Sequence, residues 1–465
     1  MPQGKLDTMS VDVVILAAGQ GSRMKSNLPK VLHKVGGKAM VQHVIDAASK
    51  MKDVITHVVI GHGAELLRES LAGQTLNFAL QTEQKGTGHA VAQAMPSVAE
   101  DSVVLVLYGD VPLTQPETMN QMVELAKQDN FALLTVNLND PTGYGRIVRN
   151  GEGSVTAIVE HKDATVEQHL IKEVNTGILA VKSRYLREWL PKLSSENAQG
   201  EYYLTDIIAM AAEQGLVIKT IQPDAEEEVQ GVNNRIQLAE LERWYQLQQA
   251  EQLMLSGATL ADPKRIDVRG NVNCGQDIIL DINIVFEGEV TLGDNVVIEP
   301  NCYLKNCSIG AGSYIKANSV IDDTVVGESC DIGPFARLRP GTLLANKAKV
   351  GNFVETKKAI VGEGSKINHL SYIGDAILGD NVNIGAGTIT CNYDGVNKST
   401  TEIADNAFIG SNTALVAPVK IGKMSTIGAG STISKNVDDA ELALTRAKQV
   451  SFNNWKRPTK LTKEN

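Results

Sequence analysis

Nowhere in the 465-residue chain do about 18 uncharged apolar residues run together, so no membrane insertion is expected. The first ten residues, MPQGKLDTMS, hold no apolar core of signal-peptide length, and the expected location is cytoplasmic. Met9 opens MSVDVVIL just ahead of the first apolar run, so residues 1–8 read as a dispensable extension or an upstream start. Cysteine is scarce and one-sided. Cys274, Cys302, Cys307, Cys330 and Cys391 all lie in the C-terminal half, and none forms a Cys-x-x-Cys pair with metal-ligand spacing, so they read as reduced thiols. Positive charge is not in excess either: 44 Lys and Arg against 54 Asp and Glu give a formal charge of -10, which argues against general affinity for nucleic acid or anionic membrane. Any anionic substrate must then be held by local basic clusters. What is present, 43% hydrophobic and 21% charged residues, is a soluble globular balance at a length that suggests two or three domains.

The two halves follow different patterns. Up to about residue 234, short apolar runs alternate with helical stretches: VDVVILAAG, HVIDAASKM, THVVIGHG, HAVAQAM, SVVLVLYGD, ALLTVNL. This order predicts a mostly parallel sheet with helices on both faces, whose ligands bind beyond the carboxyl ends of the strands. Across 235–256, Leu238, Leu241, Tyr245 and Leu253 form a helical stripe that Gly257 closes. From about residue 265 a six-residue period takes over, clearest at Ile403, Ile409, Leu415, Ile421, Ile427 and Ile433, with glycine commonly next, as in IGAGS and LGDNV. So short a unit cannot bury its apolar face alone, which predicts stacked coils of a parallel β-helix. TCNYDGVNKSTTE interrupts the period between Ile389 and Ile403 and reads as binding surface or as an external loop. The expected domains are therefore α/β over 9–234, a helical linker over 235–256, and all-β over 257–465 with a basic tail.

VVILAAGQGSRMKSNLPKVL has the outline of a phosphate loop but is neither Gly-x-Gly-x-x-Gly, since position 24 is Met, nor a Walker loop, since no Gly-Lys-Ser/Thr follows. Its glycines let backbone N–H groups close on phosphate oxygens, and Arg23 and Lys30 add the charge that a leaving pyrophosphate requires. Asp110 in LYGDVPL follows an apolar strand, placed to hold a divalent cation or to cap a helix. Within the β-helix, FARLRPG, VGNFVETKKA, INHLSYIGD and TITCNYDG gather polar groups that a purely structural solenoid does not need.

With QTEQKGTGHA, DPTGYGRI, VEHKDA, EVNTGI and GVNNR added, the stretch from Leu16 to Arg235 resembles the sugar-phosphate nucleotidylyltransferases. Nearly the whole chain is similar to the bacterial bifunctional N-acetylglucosamine-1-phosphate uridylyltransferase and glucosamine-1-phosphate acetyltransferase family. The resemblance implies a Rossmann-like nucleotidyltransferase domain followed by a left-handed parallel β-helix of hexapeptide repeats. It implies acetylation of glucosamine 1-phosphate by acetyl-CoA, then uridylyl transfer from UTP to N-acetylglucosamine 1-phosphate with Mg²⁺, supplying a peptidoglycan and lipopolysaccharide precursor. Homotrimers, with acetyltransferase sites between neighbours, are implied as well.

Carried over, the resemblance implies that Leu16, Ala17, Ala18, Gly19, Gln81, Gly86 and Thr87 line the nucleotide, with Arg23 and Lys30 as catalytic cations. Tyr108, Gly109 and Asp110 would sit where nucleotide, metal and sugar meet. Gly145, Glu160 and Asn175 would face the sugar, and Asp110 and Asn233 would hold Mg²⁺. Gln20 stands where relatives often carry Lys, so one loop cation is lost. In the second half His369 would be the general base, since imidazoles titrate near neutral pH. Arg339, Lys357 and Tyr372 would grip the sugar phosphate, and Asn383, Asn392 and Tyr393 would arrange amine and acetyl group. Ala386, Ser411, Ala429 and Arg446 would contact CoA. The alternative is a single-activity nucleotidyltransferase whose β-helix serves assembly or regulation; His369 and Arg446 speak against it.

Overall fold

The computed structural model describes residues 9–459. The 1–8 extension and the end of the basic tail lie outside the described residues. Two compact units, Met1–Gln248 and Gln249–Asn465, divide the chain. The boundary falls inside one helix, Arg235–Leu255.

In the first unit the strand Val11–Ala17, seven buried residues, lies parallel between Val54–Ile60 and Val103–Tyr108. The main path of the nine-stranded sheet runs Ile218–Ile221, Phe131–Asn137, Glu173–Lys182, Val103–Tyr108, Val11–Ala17, Val54–Ile60, Asn77–Leu80, with Arg146–Arg149 paired off Glu173–Lys182 and Val155–Val159 paired with Arg146–Arg149. Glu173–Lys182 is antiparallel to both of its neighbours, so the sheet is mixed. Alternate side chains leave on opposite faces. Val13 and Ile15 therefore pack with Val41, Val44 and Ile45 of the helix Met40–Ser49, while Val14 and Leu16 pack with Ala90, Val91 and Ala94 of Thr87–Ala94. Helices on both faces follow from this alternation, as the pattern of apolar runs predicts. Chain order reverses at Val11–Ala17, whose two neighbours lie on either side, and a crevice opens at its carboxyl end.

The helix Arg235–Leu255 divides its apolar stripe between two cores. Leu241 packs with Met24, Val35, Met40, Leu113 and Val232, whereas Leu253 joins the core of the second unit. At Gly36 the chain takes φ 56°, a Cβ there would come 2.1 Å from Tyr245 Cε1, and the Gly36 N–H donates to Glu242 Oε2 at 2.7 Å.

The second unit is a parallel β-helix. One face stacks Tyr314, Asp331, Lys349, Lys366, Asn383, Phe408 and Thr426 in register; the others stack Arg337, Glu355 and Tyr372, and Ile360, Ile377, Glu402 and Lys420. Its interior receives one side chain per face, such as Ile315, Ile321 and Val326 in one coil and Ile332, Leu338 and Leu344 in the next, all nearly inaccessible. Burial pushes the Cys302 thiol up to about 11 and the Cys307 thiol to about 12, so both act as small apolar filling. Among the described residues no helix is long and apolar enough to cross a membrane.

Because each coil packs only on its neighbours, a cavity in one is not relieved elsewhere. Leu304, fully buried, tests this: Leu304→Ala is expected to lower stability by about 2–5 kcal/mol in denaturant unfolding.

Candidate active sites

The crevice of the first unit is built where two parallel strands end. Leu16 lies opposite Tyr108 in register, and the Gly109 N–H donates to the Leu16 carbonyl at 2.9 Å, which ties the strand leading into the glycine loop to the turn bearing Asp110. Gly21 sits at φ 61°, and a Cβ there would come 2.6 Å from Lys30 Cβ, so the loop can close over Lys30 only with glycine at that place. Two short 3₁₀ turns follow, Ser22–Met24 with Arg23 and Lys30–Leu32 with Lys30.

A cavity of ≈ 520 Å³ opens here, lined by Leu16, Ala17, Ala18, Gly19, Lys30, Gln81, Gly86, Thr87, Tyr108 and Asp110. The sequence-expected nucleotide residues thus meet in one place. Gln84 and Glu201 line it too; Gln84 stands in a quoted motif without being singled out, and Glu201 had no local signal. Gln81 Nε2 donates to the Gly86 carbonyl at 3.1 Å, and Gly86 takes φ 104° at the start of its helix, where a Cβ would come 2.7 Å from the Tyr202 carbonyl oxygen.

The charged corner is compact. Arg23 Nη2 donates to Asn233 Oδ1 at 2.9 Å, Lys30 Nζ reaches that oxygen at 3.4 Å, and Lys30 is also ion-paired with Asp110. Arg23 and Asn233 are not part of the cavity lining and join it through Lys30. The carboxylate of Asp110 and the amide oxygen of Asn233 are both hard oxygen donors around one ammonium, which fits Mg²⁺, a cation that takes one or two protein oxygens beside water and phosphate.

On the far side the Asn175 N–H donates to the Gly145 carbonyl at 2.9 Å, and a Cβ on Gly145 would come 3.3 Å from Glu160 Oε1, which accepts from Thr205 at 3.1 Å. Tyr108 joins the two sides. Its ring packs on Gly177, where φ is 87° and a Cβ would come within 2.6 Å of the ring. Burial first, then the charges of Asp110 and Glu160, push its hydroxyl well above the phenol range, so it stays protonated.

In the second unit the expected residues fall into two groups. His369, Ala386, Ser411 and Ala429 occupy one corner on successive coils: Leu370 N–H donates to the Asn352 carbonyl at 3.1 Å, Asn412 N–H to Ala386 at 2.7 Å and Gly430 N–H to Ser411 at 2.8 Å. Arg446 closes the column over Gly428 and Gly430, with Nη2 3.7 Å from a Cβ placed on the first. Asn383 lies on the adjoining face, in register with Lys366 and Phe408.

The other group sits at the far end of the next face. Arg339 Nη1 donates to Glu355 Oε1 at 2.7 Å, Lys357 lies opposite Gly374, two residues beyond Tyr372, and Asn392 donates to Asp375. Within one chain the short strand segment Tyr372–Gly374 separates these cations from His369. Two partners were not foreseen. Asn352 Oδ1 accepts from His369 Nδ1 at 2.7 Å, which leaves Nε2 as the proton acceptor. Lys398, in the insertion, bridges to Tyr393 and lies against Lys357, whose ammonium pulls the Lys398 pKa down. A groove of ≈ 830 Å³ along Glu402, Lys420 and Asp438 contains none of the expected residues.

Residues 13–174 match the MobA-like NTP transferase domain, 268–361 the GMPPB C-terminal domain, and 400–435 six bacterial transferase hexapeptide repeats. "Bifunctional protein GlmU" of Marinobacter nauticus is 64% identical over 96% of this chain and 99% of its own length. The chain belongs to the GlmU family. The GlmU protein of Cellvibrio japonicus is 59% identical over 97% of this chain and 99% of its own length. A solved nucleotidyl transferase from Methanothermobacter thermautotroptrophicus covers 51% of this chain and 97% of its own at 18% identity, with a TM-score of 0.38, too loose a likeness to bear on the sites. As a GlmU member the chain is a bifunctional transferase, a Rossmann-like nucleotidyltransferase unit followed by a left-handed β-helix of hexapeptide repeats.

Glu160 supplies a test. Burial raises its pKa, so the folded chain holds that proton more tightly than the unfolded chain does. Stability then falls as pH climbs from the ordinary glutamate range to the raised value, and stays at the lower level above it. Glu160→Gln is expected to remove this decline, with a melting temperature above wild type at about pH 8 and close to it at about pH 4, read by calorimetry.

Proposed function

We propose that this chain makes UDP-N-acetylglucosamine at two separate sites. In the second unit acetyl-CoA acetylates glucosamine 1-phosphate. In the first, UTP and N-acetylglucosamine 1-phosphate give the nucleotide sugar and pyrophosphate. The observation that carries the reading is the meeting of Arg23 and Asn233 with Lys30 and Asp110, two residues that line the strand-end cavity.

At the first site the sugar phosphate oxygen attacks the α-phosphorus and the bond to the β-phosphate oxygen breaks. The attacking phosphate is already ionised at neutral pH, so no general base is required, and catalysis consists of alignment and charge neutralisation. The Gly19 loop closes on the nucleotide, Gln81 and Gly86 hold the base, and Glu160, Asn175 and Gly145 receive the sugar. Arg23 and Lys30 neutralise the departing pyrophosphate. Asp110 and Asn233 would hold Mg²⁺, which, when bound, offsets phosphate charge. As the triphosphate arrives, Lys30 exchanges its carboxylate partner for phosphate oxygens.

At the second site His369, with Nδ1 donating to Asn352, takes a proton at Nε2 from the substrate amine as nitrogen attacks the thioester carbonyl. The C–S bond breaks, and the proton held at His369 Nε2 passes to the sulfur, so that CoA leaves as the thiol and the imidazole is neutral again. Arg339, Lys357 and Tyr372 hold the sugar phosphate; Lys398 beside Lys357 strengthens that anion site. Ala386, Ser411 and Ala429 offer a small-residue edge for CoA, with Arg446 at its phosphate end. Three copies of the chain complete this site. Phe335, Phe353 and Leu370, 49%, 57% and 62% exposed, stand beside His369 at a left-handed corner where the preceding coils carry Asn283, Asn301 and Asn318. Large apolar residues at such φ cost roughly 1–2 kcal/mol each, and a second copy packed on them supplies the offsetting burial. The cytoplasm, where UTP and acetyl-CoA are made, is the working compartment.

Asp110→Asn is expected to abolish pyrophosphate release while CoA release persists, and His369→Ala to cut CoA release by about 10²–10⁴-fold while pyrophosphate release persists. Parallel assays with UTP, acetyl-CoA and glucosamine 1-phosphate or its acetylated form read both; a wild type releasing pyrophosphate alone would leave a single-activity enzyme. Phe353→Glu is expected to shift the chain toward monomer in sedimentation and lower acetyl transfer at least tenfold, with uridylyl transfer intact.

A further inference from the structure

We propose that Arg235 is a positioning residue for uridylyl transfer: its guanidinium ties together the two turns that carry Arg23 and Lys30. The inference rests on reading the strand-end cavity as the uridylyl-transfer site.

Arg235 lines no part of the cavity and touches neither Arg23 nor Lys30 by a hydrogen bond. Its Nε donates to the carbonyl of Met24, the residue after Arg23, at 3.2 Å. Its Nη1 donates to Nδ1 of His33, at 3.4 Å. His33 closes the other turn, its N–H donating to the Lys30 carbonyl at 3.2 Å. One planar fork thus spans the ends of both turns. For Nδ1 to accept, the His33 proton must sit on Nε2, and that buried atom has no partner among the described residues. Met24 and His33 are both buried, so without Arg235 the two acceptors would be left with little access to water.

The same stretch of chain holds the tips of the turns. Asn233, two residues before Arg235, accepts from Arg23 and Lys30. It is fixed in turn: Asn234 Oδ1 caps the helix by accepting from the N–H groups of Ile236 and Gln237 at 2.9 and 3.0 Å, and Gln237 Oε1 accepts from the Asn233 N–H at 2.8 Å. The two turns are therefore gripped at the tips by Asn233 and at the base by Arg235, across one helix start. Arg23 and Lys30 carry like charges, so their spacing depends on the Asn233 oxygen and Asp110 at the tips and on what holds their backbones at the base. Lysine at position 235 would supply a point charge in place of a rigid fork and could not hold both acceptors in the same way.

The test uses the full-length chain with UTP, N-acetylglucosamine 1-phosphate and Mg²⁺, with CoA release as an internal control. Arg235→Met is expected to lower kcat for pyrophosphate release about 10–100-fold, with a smaller change in the KM for UTP and unchanged CoA release. Arg235→Lys should recover part of the rate. A double-mutant cycle decides the role. Because Arg235 acts through Arg23 and Lys30, the loss caused by Arg23→Gln should be several-fold smaller in the Arg235→Met background than in wild type. Losses that multiply independently, or a normal kcat in Arg235→Met, would overturn the proposal. If Arg235→Met melts early enough to lower the folded fraction at the assay temperature, the cycle is run on Arg235→Lys with the same two outcomes. A wild-type chain that releases no pyrophosphate from UTP would overturn instead the reading of the cavity.

Discussion

Like charges held side by side are the constraint on which the first site is organised. Like charges near one another repel, the less so where solvent screens them, as it does at exposed Arg23. The chain nevertheless brings Arg23 and Lys30 to a single amide oxygen. It does so by sharing acceptors: the Asn233 oxygen serves both cations, and Asp110 carries the balancing negative charge. The glycine at position 21, the register of Leu16 with Tyr108, and the capped helix start at Asn234 all serve to bring those atoms to one place. The β-helix repeats the device at Lys357 and Lys398 with a carboxylate, Asp375, nearby. In each case cations stand gathered with a carboxylate beside them, so a chain of net negative charge carries local positive clusters.

The two units solve the placing of side chains differently. In the first, parallel strands of a nine-stranded sheet end at a crevice, and residues distant in sequence, Lys30 and Asn233 among them, meet where a turn and a helix start come together. In the second, nothing converges. Residues meet because the coil returns to the same corner, and His369, Ala386, Ser411 and Ala429 are one position seen on successive turns. A crevice is enclosed by its own sheet; a corner is open on its outer side. In keeping with that difference the first unit has a cavity of ≈ 520 Å³, while His369 lines a smaller one of ≈ 250 Å³ and Arg339 and Lys357 are half-buried.

Periodicity made much of this readable in the sequence. The six-residue repeat announced the β-helix, since few other arrangements keep that period so long, and glycine loops after apolar runs announced the strand ends. The resemblance then named residues that do gather: those expected at a nucleotide around one cavity and those expected at CoA along one corner. What escaped was contact made through irregular chain. Lys398 lies in an insertion whose turn returns it to Lys357, and no spacing rule predicts where an insertion comes back. Glu201 reaches the cavity from a loop without pattern. Asn352 was missed because a partner one coil away is visible only once the coil length at that place is known. Arg235 stood in a recognised motif, but its hydrogen bonds run to a backbone carbonyl and a buried imidazole, neither of which leaves a mark in the sequence.

The helix Arg235–Leu255 comes after every strand of the first sheet. Arg235, Leu241, Glu242 and Tyr245, which secure Met24, His33 and Gly36, are therefore among the last parts of that unit to leave the ribosome. The sheet can pair its strands while translation continues, and Lys30 can meet Asp110, but the loop carrying Arg23 and Lys30 lacks its contacts to Asn233 and Arg235 until this helix start emerges. The same helix ends with Leu253 in the core of the β-helix, so the segment that completes one unit also begins the other. On the nascent chain, the order of synthesis makes the nucleotide loop one of the last parts of its unit to settle, at about the time the first coil begins to wind.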